Sequence, residues 1–222
     1  MGATAMANTV VLNNNADTFS VGGEFDAVTS GGQFLKNYSP LAIDGDGFET
    51  FCLETTVEFT PGTTYTYDVS SVDSLGRSLT LGAALLYADF AKGDLPGYNY
   101  TNPTLRQEDA GALQAALWWL QGGQSYGGFP GMSTNVFYEY ATTTLGSLNE
   151  ETASDGQYGV DILQLWGSNG QAAQNQLVMV GVPDQAQTWL MLGMGLTGLA
   201  VASHGLREKQ VPAIVTCQDR IG

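Results

Sequence analysis

The spacing of apolar positions divides this chain into short strands, a few helices and one long apolar run near the C-terminus. Ala110, Leu113, Ala116, Leu117 and Leu120 recur at three- and four-residue intervals, which predicts an amphipathic helix over 106–121 with one buried stripe. Glu108 and Asp109 are expected in its first turn, where the helix dipole favours negative charge. Gly122 can take the left-handed conformation that ends a helix. Gln114 falls on the flank of the stripe with Leu117, Trp118 and Gln121. An amide sheltered in this way must find a hydrogen-bond partner, and Cys52 is the candidate. A second helix is expected over 79–91, with Leu79, Ala83, Leu86 and Phe90 on one side. A third is expected over 136–148, weakened by Thr142, Thr143 and Thr144.

Strands are expected over 9–12, 19–28 and 33–35, separated by Asn and Gly turns. Thr60-Pro61-Gly62-Thr63 predicts a hairpin between strands over 49–59 and 65–69, with Cys52 on the first. Strands over 160–166 and 176–182 are expected to join at the turn Asn169-Gly170. The pattern predicts one α+β domain over 8–181: β-rich, sandwich- or barrel-like, with two or three inserted helices.

The character changes at Val182-Pro183-Asp184. Residues 189–206 are eighteen positions without Asp, Glu, Lys or Arg, followed by Arg207 and Lys209. This predicts a C-terminal membrane-spanning helix with its basic end in the cytoplasm and His204 near the interface. A buried helix of a soluble domain is the alternative. At the other end, Ala5-Met6-Ala7 has the small-x-small form of a signal-peptidase site. Residues 1–7 are therefore either the remnant of an export signal or an ordinary flexible terminus.

Charge and chemistry narrow the picture. A formal net charge of −15 repels phosphate backbones and argues against nucleic acid as a partner. The abundance of Gly, Tyr and Thr with few Lys suits an exported β-rich protein. The one histidine, His204, lies in the apolar run, so the body holds no Ser-His-Asp triad. Zinc spacings and phosphate loops are absent from the sequence, and no cofactor or metal is expected. Asp44-Gly45-Asp46-Gly47 lacks the further ligands of a calcium loop and reads as a turn; Gly22-Gly23-Glu24-Phe25 reads as turn plus strand. For glycoside hydrolysis the carboxylates to try are Glu54, Glu58, Glu108 and Asp109, although no spacing singles them out. Tyr98 and Tyr100, with the loop over 122–129, either stack on sugars or anchor loops. Cys52 and Cys217 lie on opposite sides of the apolar run, which weighs against a disulfide.

Val182-Pro183-Asp184, Thr188, the apolar helix and then Arg207 and Lys209 resemble the PEP-CTERM sorting signal in its VPD variant. The likeness covers 182–210. It departs at Gln185-Ala186-Gln187, and a tail over 211–222, which reads as a product of frameshift or read-through, continues where such proteins generally stop. The resemblance implies export, handling by an exosortase-type enzyme, and a place on the cell surface or in the extracellular, biofilm-type matrix of a Gram-negative bacterium.

The body resembles the thioester domain of surface adhesins through Phe51-Cys52-Leu53-Glu54 and Ala112-Leu113-Gln114-Ala115-Ala116-Leu117-Trp118. In that family a Cys and a Gln side chain condense to an internal thioester. The resemblance implies a bond between Cys52 and Gln114, with Phe51, Glu54, Trp118 and Trp119 as the supporting shell that excludes water. No His or Lys stands near Cys52 in sequence to activate it. The plain alternative is a buried cysteine that only packs. The function expected is a non-enzymatic adhesin that captures a glycan or protein amine. A noncovalent carbohydrate-binding module is the first rival and a secreted glycosidase the second.

Overall fold

The computed structural model describes residues 8–20, 22–30, 35–36, 47–123, 131–146 and 150–180. The expectations for 1–7, Asp44, Asp46, His204, Cys217 and the whole of 182–222 lie outside them. These include the sorting residues Val182, Pro183, Asp184, Arg207 and Lys209. Among the described residues, no helix is long and apolar enough to cross a membrane.

Among the described residues, seven strands form one antiparallel sheet: β1 (Thr9–Asn14), β2 (Phe25–Ser30), β3 (Leu35–Lys36), β4 (Gly47–Thr50), β5 (Thr64–Ser70), β6 (Val160–Trp166) and β7 (Ala172–Val180). Their order is β3-β7-β6-β5-β1-β2-β4. Three helices, α1 (Leu81–Lys92), α2 (Pro103–Leu120) and α3 (Val136–Leu145), are inserted between β5 and β6. The chain is therefore α+β, as its apolar pattern predicts.

Local chemistry sets the helix ends. Asn102 caps α2 by accepting from the main-chain N–H groups of Thr104 and Leu105, and Pro103 takes the first helical position, where a missing N–H costs nothing. The helix thus starts earlier than the apolar stripe suggests. Glu108 and Asp109 are in its second turn, and Asp109 accepts from the Asn99 N–H at 2.8 Å instead of serving the dipole. Thr80 caps α1, and Gly93 ends it in the left-handed region at φ 78°.

Two expectations are corrected. The turn at Thr60-Pro61-Gly62-Thr63 forms, with Thr63 N–H donating to the Thr60 carbonyl at 3.2 Å, but its flanks do not pair as a hairpin. β4 pairs with β2, while β5 pairs with β1 and β6. The strand expected over 19–28 begins only at Phe25. Gly23 stands at φ 126°, out of reach for other residues, and turns the chain just before it.

The stretch after β4 closes the sheet. Phe51, Cys52 and Leu53 run antiparallel to β7, with Leu53 N–H donating to the Asn175 carbonyl at 2.9 Å and Leu177 N–H to the Phe51 carbonyl at 3.1 Å. β4 and β7 lie at opposite ends of the six longer strands, so this bridge joins the strand path into a ring.

The two faces of the sheet bury separate cores. Phe51, Leu53, Ile162, Leu177 and Met179 pack against the helices, chiefly on Leu86, Phe90, Leu113 and Leu117. Val10, Leu12, Ala27, Phe48, Leu163 and Val178 fill the opposite face. Neighbouring residues of β7, such as Leu177 and Val178, serve opposite cores, which is why its apolar run is continuous rather than alternating.

Candidate functional site

Cys52 and Gln176 form the bridge that closes the ring. The backbone bonds run between their neighbours, so the two are a non-hydrogen-bonded antiparallel pair. Such pairs bring side chains on one face to their closest approach. The Gln176 Nε2 accordingly donates to Cys52 Sγ at 3.6 Å and to the Gln174 carbonyl at 3.1 Å. Both residues have no solvent exposure. The Gln176 carboxamide oxygen is buried without a hydrogen bond, an arrangement that costs a neutral amide about 1–3 kcal/mol.

Gln114 also meets Cys52, but through the main chain. Its Oε1 accepts from the Cys52 N–H at 2.9 Å and the Gly23 N–H at 3.2 Å, and its Nε2 donates to the Cys52 carbonyl at 2.7 Å. In a non-hydrogen-bonded pair, the polar groups of Cys52 point away from β7. The carboxamide satisfies both, as a neighbouring peptide would. One face of α2 repeats the device: seven residues on, Gln121 accepts from Thr80 N–H at 3.0 Å and donates to the Ser78 carbonyl at 2.8 Å. The Cys52–Gln114 juxtaposition expected from the sequence is present. The amide at the sulfur, however, belongs to Gln176, which the sequence reading passed over. Its mark in the sequence is the polar run Gln174-Asn175-Gln176, which stands directly before the apolar stretch 177–180 of the same strand.

The hydrophobic screen over the thiol also differs from expectation. Trp118 packs against Cys52, joined by Phe25 and Phe59, whose rings meet edge to face at 4.9 Å. Phe51 does not belong to it. Adjacent strand residues face opposite ways, and Phe51 packs edge to face on Phe90 in the helix-side core. Trp119, one position round α2, packs on Tyr138. A cleft of about 290 Å³ abuts the screen, lined by Phe25, Phe59 and Trp118 together with Asn14, Glu58 and Gln174.

Glu54 holds the partner strand in register. It is buried, and its carboxylate accepts from the Asn175 N–H at 2.8 Å and from the Asn175 side-chain amide, while the Gln174 amide donates to its carbonyl. Burial raises the Glu54 carboxyl above its ordinary value, against the lowering effect of the Asn175 bonds. Burial likewise pushes the Cys52 thiol far up, with the Glu54 charge adding to the rise and the Gln176 contact opposing it. The resting sulfur is therefore a neutral thiol, without the depressed pKa of a reactive cysteine.

No family model, no curated protein and no solved structure matches this chain.

A second polar cluster supports the site from beneath. Arg106, fully buried on α2, donates from Nε to Glu24 Oε2 at 2.9 Å and from Nη2 to Glu24 Oε1 and Glu49 Oε1. Asp17 lies 3.4 Å from the same guanidinium, and Tyr98 donates its hydroxyl to Glu24 at 2.8 Å. Burial alone would lower Arg106, but its hydrogen bonds and the charges of Glu24 and Glu49 outweigh that and raise it. The cluster ties the turn before β2 to α2 and β4, the same elements that hold Gln114 on Cys52. In the sequence Arg106 marks only the start of a helix. Of the other carboxylates considered for hydrolysis, Glu58 is exposed at the cleft, and Glu108 and Asp109 sit on the outer side of α2. Among the described residues, no group of three or more His, Cys, Asp or Glu could hold a metal ion.

Proposed function

We propose that this protein is a non-enzymatic adhesin of the cell surface or extracellular matrix, in which Cys52 and Gln176 condense to an internal thioester. The observation that carries the reading is the contact of Gln176 with the Cys52 sulfur at 3.6 Å inside a water-excluding aromatic shell. In the step, Cys52 Sγ bonds to the Gln176 amide carbon and the carbon–nitrogen bond breaks. The departing nitrogen takes the thiol proton and leaves as ammonia. The neutral resting thiol suits such a coupled transfer, since no buried thiolate has to form beforehand. The orphaned Gln176 oxygen fits too, because a thioester carbonyl is a weaker hydrogen-bond acceptor than an amide and loses less by going unpaired.

In this reading the closed strand ring is a barrel-like scaffold with Cys52 at its seam. Gln114 is the clamp that aims the Cys52 backbone, and Glu54 sets the register of Gln176. Export and sorting rest on the sequence resemblance at 182–210, with a membrane-spanning helix over 189–206 and an exosortase-type enzyme as processing partner. A ligand amine or hydroxyl that opens the thioester becomes bonded to the Gln176 carbonyl. The noncovalent carbohydrate-binding reading draws on the partly exposed Phe59 and the amides of Asn14 and Gln174 in the cleft lining.

Intact-mass measurement tests the proposal. A native protein lighter by one ammonia, with the deficit lost in both Cys52→Ala and Gln176→Ala, is the expected result. Full mass in the native protein overturns it, and glycan binding that survives Cys52→Ala would then favour the noncovalent module.

A further inference from the structure

The cleft and the thiol share a wall. Phe25, Phe59 and Trp118 line the cleft and also close over Cys52. Phe25 and Trp118 are each 2% exposed, so neither presents an open ring face on which a sugar could stack. Phe59 is only partly buried, between the exposed residues Glu58 and Thr60, and is the most exposed member of the screen. Among the described residues, Glu58 is the single charged side chain in the lining. Among the described residues no lining Lys or Arg offsets it, and the chain as a whole carries −15. A carboxylate beside an aromatic-walled cleft of about 290 Å³ suits a cation on a slim apolar body and disfavours an anion.

We propose that this cleft is the port through which a primary ammonium on an unbranched aliphatic stem reaches the Cys52–Gln176 bond, and that Glu58 is the residue selecting for it. The inference rests on the thioester reading for its covalent step. The stem displaces Phe59 and so reaches the Trp118 ring beneath it, while Glu58 pairs with the ammonium. Held there by Glu58, the ammonium loses one proton to solvent and attacks the Gln176 carbonyl carbon as the free amine. A carbon–nitrogen bond forms and the carbon–sulfur bond breaks. The second proton from nitrogen passes to the departing sulfur, which leaves Cys52 as a thiol and Gln176 as a substituted amide. A neutral alcohol on the same stem gains nothing from Glu58.

Two measurements separate the port from the thioester. In Cys52→Ala, which cannot form the bond, butylamine is titrated while the Trp118 indole NMR signal is followed. The expected result is a saturable shift, weakened about two- to fivefold in Glu58→Gln, as suits an exposed ion pair. Butyrate, the anion of nearly the same stem, gives no such shift. A missing shift, one indifferent to Glu58→Gln, or an equal response to butyrate overturns the port. In the unmodified protein, intact mass follows butylamine adduct formation. Its rate is expected to fall by the same factor in Glu58→Gln, while reaction with butanol is unchanged; equal falls for both nucleophiles overturn the role of Glu58. Full mass before any amine is added defeats the thioester reading, and the titration on Cys52→Ala still decides the port.

Discussion

Gln114 holds Cys52 by both of its main-chain polar groups, accepting from the N–H at 2.9 Å and donating to the carbonyl at 2.7 Å. A helix side chain thereby takes the place of a missing strand. The outward side of the residue that closes the ring would otherwise be left with two buried, unpaired polar groups.

Removing that carboxamide strands those groups and the Gly23 N–H as well. Gln114→Ala is expected to lower unfolding free energy by about 3–5 kcal/mol, since each buried unsatisfied group costs about 1–3 kcal/mol. Urea unfolding gives the answer as a lower midpoint at unchanged slope. A loss below about 1 kcal/mol would mean that water replaces the clamp.

Arg106 bridges Glu24 and Glu49 in a site closed to solvent. Arg106→Met leaves both carboxylates buried without their counter-ion and is expected to cost about 3–5 kcal/mol. Arg106→Lys should not restore it, because an ammonium cannot reproduce the forked contact to Glu24. Adding Glu24→Gln and Glu49→Gln to Arg106→Met should recover much of the loss. Thermal melting of the four proteins tests the series.

The carboxyls of Asp26, Glu54 and Asp161 are raised from 3.8, 4.5 and 3.8 respectively, in each case chiefly by burial. The native state therefore keeps protons that the unfolded chain has already released. Stability contributed by these groups falls as pH rises from the unfolded values through the higher native ones, and levels off above them. The Tm at about pH 5 is expected to exceed that at about pH 8, with a shallower slope in Glu54→Gln. A Tm that climbs over the same range would contradict the assignment.

Gly111 on α2 leaves space for Phe19, and a Cβ there would stand 2.6 Å from Phe19 Cδ1 and 2.7 Å from Cγ. Gly111→Ala should therefore push the turn before β2 away from α2, at a cost of about 1–3 kcal/mol. Phe19→Ala removes the clash. A double-mutant cycle between the two should show coupling of roughly 1 kcal/mol or more; simple additivity would place the strain elsewhere.

The legible part of this fold was local. The three helices, the strands β1, β5 and β6, and the turns at Gly62 and Gly170 follow from period, caps and turn residues. Pairing was legible only at the Asn169-Gly170 turn, where β6 and β7 form the expected hairpin. The Thr60-Pro61-Gly62-Thr63 turn is present, yet β4 and β5 find other neighbours, because register is fixed by the side chains that each face buries and not by the turn alone. The same limit hid Gln176, whose place opposite Cys52 depends on a bridge between positions 124 residues apart. Gln114 was found because helical spacing placed it on a sheltered flank. Its bond to backbone rather than sulfur depends on which way Cys52 faces, which alternation along an irregular strand does not announce. Arg106 went unread for a similar reason: its partners Glu24 and Glu49 come from distant segments, and a lone arginine in a helix ordinarily faces water.

Among the described residues, the ring of strands is fastened at its seam by a short run of backbone hydrogen bonds, from Leu53 to Asn175, from Leu177 to Phe51 and, further along, from Gln174 to Glu58. A covalent link between Cys52 and Gln176 would rivet that seam and tie a long loop of chain into a knotless hoop, restricting the unfolded chain by about 5 kcal/mol by analogy with disulfide loop closure. Capture of a ligand would cut the rivet in the act of taking hold. The molecule would then grip its target permanently while itself becoming easier to pull apart.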